Sequence, residues 1–84
     1  MLKKEIFITS ACRTAVGSLG KTLKNVSAEE LGSAVISNAI KRSNIKPGDL
    51  DEIIMGQVLT GGTGQNPARQ AAMHSGIPKE KPAY

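Results

Sequence analysis

The sequence predicts an α/β fold: a β-α-β-α-β run with a mainly parallel sheet, forming one incomplete domain over residues 1–84. Three observations predict it. Two segments with helical start and stop signals alternate with three short segments rich in β-branched or apolar residues. Ile6, Phe7 and Ile8 are apolar at consecutive positions, as in strands covered on both faces. Finally, 84 residues holding one Phe, one Tyr and no Trp supply few large anchors for an independent core. A free-standing domain this short usually adds heavier anchors, disulfides or a metal to offset chain entropy. The composition therefore fits a piece of a larger α/β core, one that needs a partner for its unfinished sheet.

Residues 5–11, EIFITSA, form the first expected strand. Residues 13–26 carry the breakers Gly17, Gly20 and Asn25 and read as a loop long enough to bear function or to lie across a partner. Ser27 opens the first helix, with Glu30 completing an S-x-x-E capping box and Glu29 well placed in the first turn. Leu31, Ala34, Val35, Ile36, Ala39 and Ile40 make its apolar stripe. Gly32 costs this helix about 1 kcal/mol against Ala, so close packing against a strand is the expected reason for it. Lys41 and Arg42 suit the carbonyl end, and Ser43 and Asn44 end the helix.

Residues 45–50 are a connection with a Pro-Gly turn. Residues 51–59, DEIIMGQVL, give the second strand, interrupted at Gly56 and Gln57. A glycine-rich loop, TGGTGQ, leads to the second helix. There Asn66 is the expected N-cap, Pro67 the first helical residue and Gly76 the stop. Ala68 and Ala72 face alike and let this helix lie close to a sheet or another helix. After a Pro-bounded turn, residues 82–84 begin a third strand.

Charge and cysteine content narrow the function classes. The net charge of +4 is spread over eleven Lys and Arg residues in runs of at most two, with no aromatic residues interleaved, which argues against nucleic-acid binding. Such a surface suits phosphorylated small molecules equally well. One cysteine allows no internal disulfide and no cysteine-based metal cluster, and it points mildly to a reducing compartment. No signal peptide or membrane span is read, so the cytoplasm is the expected location.

Each candidate motif has a plain structural reading beside its functional one. The loop from Gly61 to Pro67 could cradle a phosphate at a helix N-terminus, or serve turn geometry alone; it matches neither the P-loop nor G-x-G-x-x-G. His74 lacks a cysteine or carboxylate at metal or triad spacing and reads as a helix-end cation. Cys12, although next to Arg13, reads as a small buried hydrophobe rather than a reactive thiol. Asp49, Asp51 and Glu52 read as a solvated turn rather than paired catalytic carboxylates.

At residues 8–18, ITSACRTAVGS, the chain resembles the opening strand and loop of thiolases, where S-A-x-R-T-[AP]-[IVF]-G is typical and Cys12 fills the variable position. The resemblance continues through residues 27–40 and 51–59 and is most specific at residues 64–72, GQNPARQAA, which look closest to the bacterial biosynthetic branch. It implies a thiolase-like fold of two βαβαβαββ halves, of which residues 1–84 supply the first part of the N-terminal half. It also implies reversible Claisen condensation of two acetyl-CoA to acetoacetyl-CoA and CoA through an acyl-cysteine. The family's nucleophile lies in a V-C-G-S-G stretch and a catalytic histidine in a G-H-P motif. Neither occurs in residues 1–84, so Cys12 and His74 are not their counterparts and no catalytic residue is assigned here. What carries over is support. Gln65 and Asn66 correspond to a loop beside the nucleophile pocket, Gln65 shaping the acyl site and Asn66 capping the helix. Arg69 and Tyr84 are assigned to packing against the rest of the subunit or a dimer mate. The implied partners are acetyl-CoA, acetoacetyl-CoA, the remainder of the subunit and further copies in a homodimer or homotetramer, with no separate cofactor and no metal. A non-catalytic thiolase-like interaction module and a small anion-binding domain using Gly61 to Pro67 stand as the rival readings.

Overall fold

A computed structural model describes residues 4–84 and contains, in order, helix α1 (Ala28–Ser43), a single 3₁₀ turn (Pro47–Asp49) and helix α2 (Pro67–His74). Both helices begin and end where local chemistry dictates. Ser27 has extended backbone and its hydroxyl accepts from the Glu30 N–H at 3.2 Å. This is the forward half of the expected capping box. At the other end Asn44 turns left-handed (φ 57°) and its N–H donates to Lys41 O at 3.2 Å. Asn tolerates that region better than most residues, which is why the helix stops there.

α2 closes with a Schellman turn. The Ile77 N–H bonds to Ala72 O (3.1 Å) and the Gly76 N–H to Met73 O (3.2 Å), with Gly76 at φ +79°. Glycine is required there because the conformation costs any residue with a Cβ. The turn also drives Ile77 into the core, where it packs with Ala72.

That core is small. Ile40, Ile53, Ala68, Ala72, Ile77 and Ala83 form it, with Ile36, Leu50 and Met73 against its edge. Burying each isoleucine contributes about 2 kcal/mol. α1 and α2 pack on one another through small residues, and a Cβ built on Gly32 would lie 3.1 Å from Ala71 Cβ and 3.4 Å from Met55 Cε. The glycine thus serves a helix–helix approach, not the expected packing of helix on strand alone. Ser75 closes the far side, its hydroxyl donating to Ala71 O at 2.7 Å and standing 3.2 Å from both oxygens of Ser33.

The strands depart most from expectation. Among the described residues the single β pairing is a parallel bridge between Ile53 and Ala83. Ile53 N donates to Pro82 O (3.0 Å), Tyr84 N to Ile53 O (3.1 Å) and Met55 N to Tyr84 O (2.8 Å). The expected second and third strands therefore meet, in the expected sense, over a short stretch. The expected first strand forms no ladder: no backbone–backbone hydrogen bond ties residues 4–17 to another segment among the described residues. Ile6, Phe7 and Ile8 stand 92%, 75% and 90% exposed.

The physical reason is that a strand, unlike a helix, is completed only by a neighbour. Residues 9–12 instead lie along α1 by side chain. Ser10 Oγ donates to Ala39 O (2.8 Å), Cys12 Sγ to Val35 O (3.2 Å), and Arg42 Nη1 to Ala11 O (3.1 Å). Ser10, Cys12 and Thr14 are half-buried while Ala11, Arg13 and Ala15 are exposed. This is the period-two alternation of an extended segment with one covered face. The radius of gyration, 14.4 Å, exceeds the value of about 12 Å that a compact chain of this length would have.

Candidate functional site

The chemistry-bearing side chains gather at the first turn of α2. Asn66 is left-handed (φ 43°); its Oδ1 accepts from the Arg69 N–H at 3.0 Å, and its Nδ2 donates to Ala83 O at 3.0 Å. One side chain thereby caps the helix and fastens the segment that bridges to Ile53. Its capping role matches the expectation. Pro67 follows at the first helical position, where a missing N–H costs nothing.

Arg69, three residues on, donates from Nη1 to Lys81 O (2.9 Å) and from Nη2 to Lys79 O (2.8 Å). Its guanidinium fork secures a turn of this same chain. Gln70 reaches the other way, and Nε2 donates to Thr63 O (2.7 Å) and Gln65 O (2.9 Å). Sequence reasoning missed Gln70. The available signal was a long amide at the fourth helical position behind a glycine-rich turn, whose N–H groups can donate back to the free carbonyls of that turn.

The glycine loop closes on itself. Thr63 Oγ1 donates to Thr60 O at 2.6 Å, and Gly62 and Gly64 take φ of +75° and +77°. Their positive φ accounts for Gly62 and Gly64 by turn geometry, and Asn66 occupies the Arg69 N–H. Gln65 has an exposed side chain, and its carbonyl is held by Gln70.

Tyr84 is 60% exposed and donates its hydroxyl to Glu52 Oε2 at 3.1 Å. That hydrogen bond, and then the carboxylate's charge, raise the phenol above its ordinary value. Asn66 and Tyr84 share the lining of a hollow of about 150 Å³ with Gln57 and Thr60. A larger apolar groove of about 320 Å³ lies between the helices, over Leu31, Gly32, Val35, Met55, Ala68 and Ala71. Asn66, Arg69 and Tyr84 thus converge on the segment 79–84, whereas the Gln65 side chain lines neither cavity.

Cys12 and His74 lie elsewhere. Cys12 is half-buried against α1, and His74 is exposed in the last turn of α2. Among the described residues no three His, Cys, Asp or Glu side chains converge, and no helix is long and apolar enough to cross a membrane.

The glycine loop, α2 and residues 79–84 are thus bound into one knot by the side chains of Asn66, Arg69 and Gln70. The family model described as "Thiolase, N-terminal domain" matches residues 6–84, and the chain belongs to the thiolase family as an N-terminal segment. An acetyl-CoA acetyltransferase of Clostridioides difficile is 58% identical over 80 residues, covering 95% of this chain and 75% of that one. Acetyl-CoA acetyltransferases of Cupriavidus necator and Rhizobium meliloti are 53% and 51% identical, over 94% and 100% of this chain. This chain spans about a fifth of the length of those two (20% and 21%). In structure it resembles the Acat5 thiolase of Ascaris suum, solved in complex with coenzyme A, with a TM-score of 0.77 and 44% identity. That match covers 79% of this chain and 17% of the Ascaris one, and it gives the chain a thiolase-like fold.

Proposed function

We propose that the chain is the amino-terminal part of an acetyl-CoA acetyltransferase of the bacterial biosynthetic type, inactive by itself and catalytic in the complete subunit. The single observation that carries this reading is the 58% identity, over 95% of this chain, to a protein named acetyl-CoA acetyltransferase. The reaction joins two acetyl-CoA into acetoacetyl-CoA and CoA. A cysteine thiolate takes the first acetyl group as a thioester and releases CoA. The second acetyl-CoA then loses an α-proton to a base, and its carbanion displaces the cysteine sulfur, which regains a proton.

The nucleophile in this reading lies beyond residue 84, because Cys12 is committed to Val35 O and stands apart from the knot. Residues 1–84 contribute support. Gln65 shapes the acyl pocket, Asn66 holds helix and strand together, and Arg69 and Tyr84 set the face presented to the rest of the subunit. The remainder of the N-terminal half covers Ile6, Phe7 and Ile8 and completes the βαβαβ sheet that the Ile53–Ala83 bridge begins. Coenzyme A thioesters are the substrates, with no separate cofactor. Third strands pair across a homodimer or homotetramer, and the location is cytoplasmic.

The test is covalent trapping on the complete subunit with radiolabelled acetyl-CoA. Label is expected on a cysteine other than Cys12, with Cys12→Ala retaining condensation and thiolysis. Label on Cys12, or activity lost in Cys12→Ala with the fold intact, contradicts the proposal. Replacing Gln65 by Ala is expected to lower turnover, and unchanged kinetics would remove its role in the pocket.

A further inference from the structure

Gln70 differs from Asn66 and Arg69 in that both its side-chain bonds run back into the glycine loop. Its own backbone is fixed, since its N–H donates to Asn66 O at 3.1 Å inside the first turn of α2. From that fixed base the carboxamide nitrogen meets Thr63 O at 2.7 Å and Gln65 O at 2.9 Å, the carbonyls on either side of Gly64. Two carbonyls turned toward one point repel each other unless donors stand between them. The two N–H bonds of the amide supply those donors.

Gly64 makes the clamp necessary and possible. At φ +77° a glycine has wide freedom, so the Thr63–Gly64 peptide plane before it could turn over at small cost. A Cβ at Gly64 would stand 3.2 Å from Gln70 Nε2, so the glycine also leaves the space that the amide fills. Because a trans peptide is planar, fixing the two carbonyls also fixes the directions of the Gly64 and Asn66 N–H groups, opposite to Gln70.

We propose that Gln70 is a positioning residue for thioester chemistry: it holds the Thr63–Gly64 and Gln65–Asn66 peptide planes so that Gln65, between them, meets the acyl pocket in one orientation. This rests on the reading of the glycine loop as a wall of that pocket. Gln70 touches no reacting atom and acts through the loop.

The experiment uses the complete acetyl-CoA acetyltransferase subunit carrying Gln70→Met, which keeps length and removes both donors. Thiolysis kcat is expected to fall about tenfold or more, with KM changed far less, as for loss of orientation rather than of binding. Amide exchange at residues 62–66 is expected to quicken while residues 71–76 keep their protection. Gln70→Lys, which restores donors at that reach, is expected to recover most of the rate. Should Gln70→Met not fold, Gln70→Asn, too short to reach either carbonyl, is read in the same two ways. A slower kcat without faster exchange at 62–66, or faster exchange without a slower kcat, overturns the proposal, as does no change in either. A parent subunit without thiolase activity overturns instead the placement of the loop beside an acyl pocket, and the exchange data still decide whether Gln70 clamps it.

Discussion

The two ends of this molecule are built by different rules. From residue 27 to residue 84 the helix ends are set by local devices, the Ser27 and Asn66 caps and the Asn44 and Gly76 stops, and the side chains of Asn66, Arg69 and Gln70 tie α2 to the glycine loop and to residues 79–83. Residues 4–17 are held only where side chains of residues 9–12 and Arg42 span the gap to α1, and their largest apolar groups face outward. The difference shows what a βα unit can settle by itself. Helices and turns complete their own hydrogen bonds, whereas a strand presents an edge that only another strand can satisfy.

Substitutions should reproduce that asymmetry. The largest loss is expected at Ile53→Ala, which empties the core beneath the Ile53–Ala83 bridge and should cost about 3 kcal/mol, read as a lower urea midpoint. Gly32→Val should follow at about 2 kcal/mol, because its added atoms have no room before Ala71 and Met55. Asn66→Ala removes a cap and the bond to Ala83, and should cost about 1–2 kcal/mol. Phe7→Ser should scarcely move the midpoint of the isolated chain yet strongly destabilise the complete subunit, if the latter buries the ring. Equal effects in both settings would break the comparison.

The smallest effect is a titration. Tyr84 is the sole tyrosine, and its phenol should ionise above the ordinary value of about 10. A pKa raised in the folded state means that the Tyr84–Glu52 bond contributes below the unfolded value and is lost as pH rises through the folded one. Ultraviolet absorbance should show Glu52→Gln ionising at lower pH; an unchanged curve would dismiss the pairing.

How much of this was legible in the sequence follows the same division. The limits of α1 and α2 were readable because caps and stops are local codes: Ser27, Asn44, Asn66, Pro67 and Gly76 all perform the predicted tasks. The parallel sense of the Ile53–Ala83 bridge agrees with β-α-β order, but which strands would meet was not readable. The absent ladder at residues 5–11 was not, since apolar runs announce a wish for cover without saying what supplies it. Gly32 announced a close approach but not that Ala71 was the near neighbour. Within the site, Asn66 was legible as a cap, but the reach of Arg69 to Lys79 and Lys81, and of Gln70 to Thr63 and Gln65, depends on where distant carbonyls lie. No spacing rule reports that. The thiolase signature itself was plain in GQNPARQAA, because the knot uses those residues at once for cap, clamp and close packing.

The central claim is that the helices and the α2 knot are self-supporting while residues 4–11 await a neighbouring strand. Amide hydrogen exchange on the isolated 84-residue chain and on the complete subunit tests it most directly. Residues 31–44 and 70–77 are expected to be protected in both, and residues 5–8 in the complete subunit alone. Protection of residues 5–8 in the isolated chain, or their free exchange in the complete subunit, would contradict it.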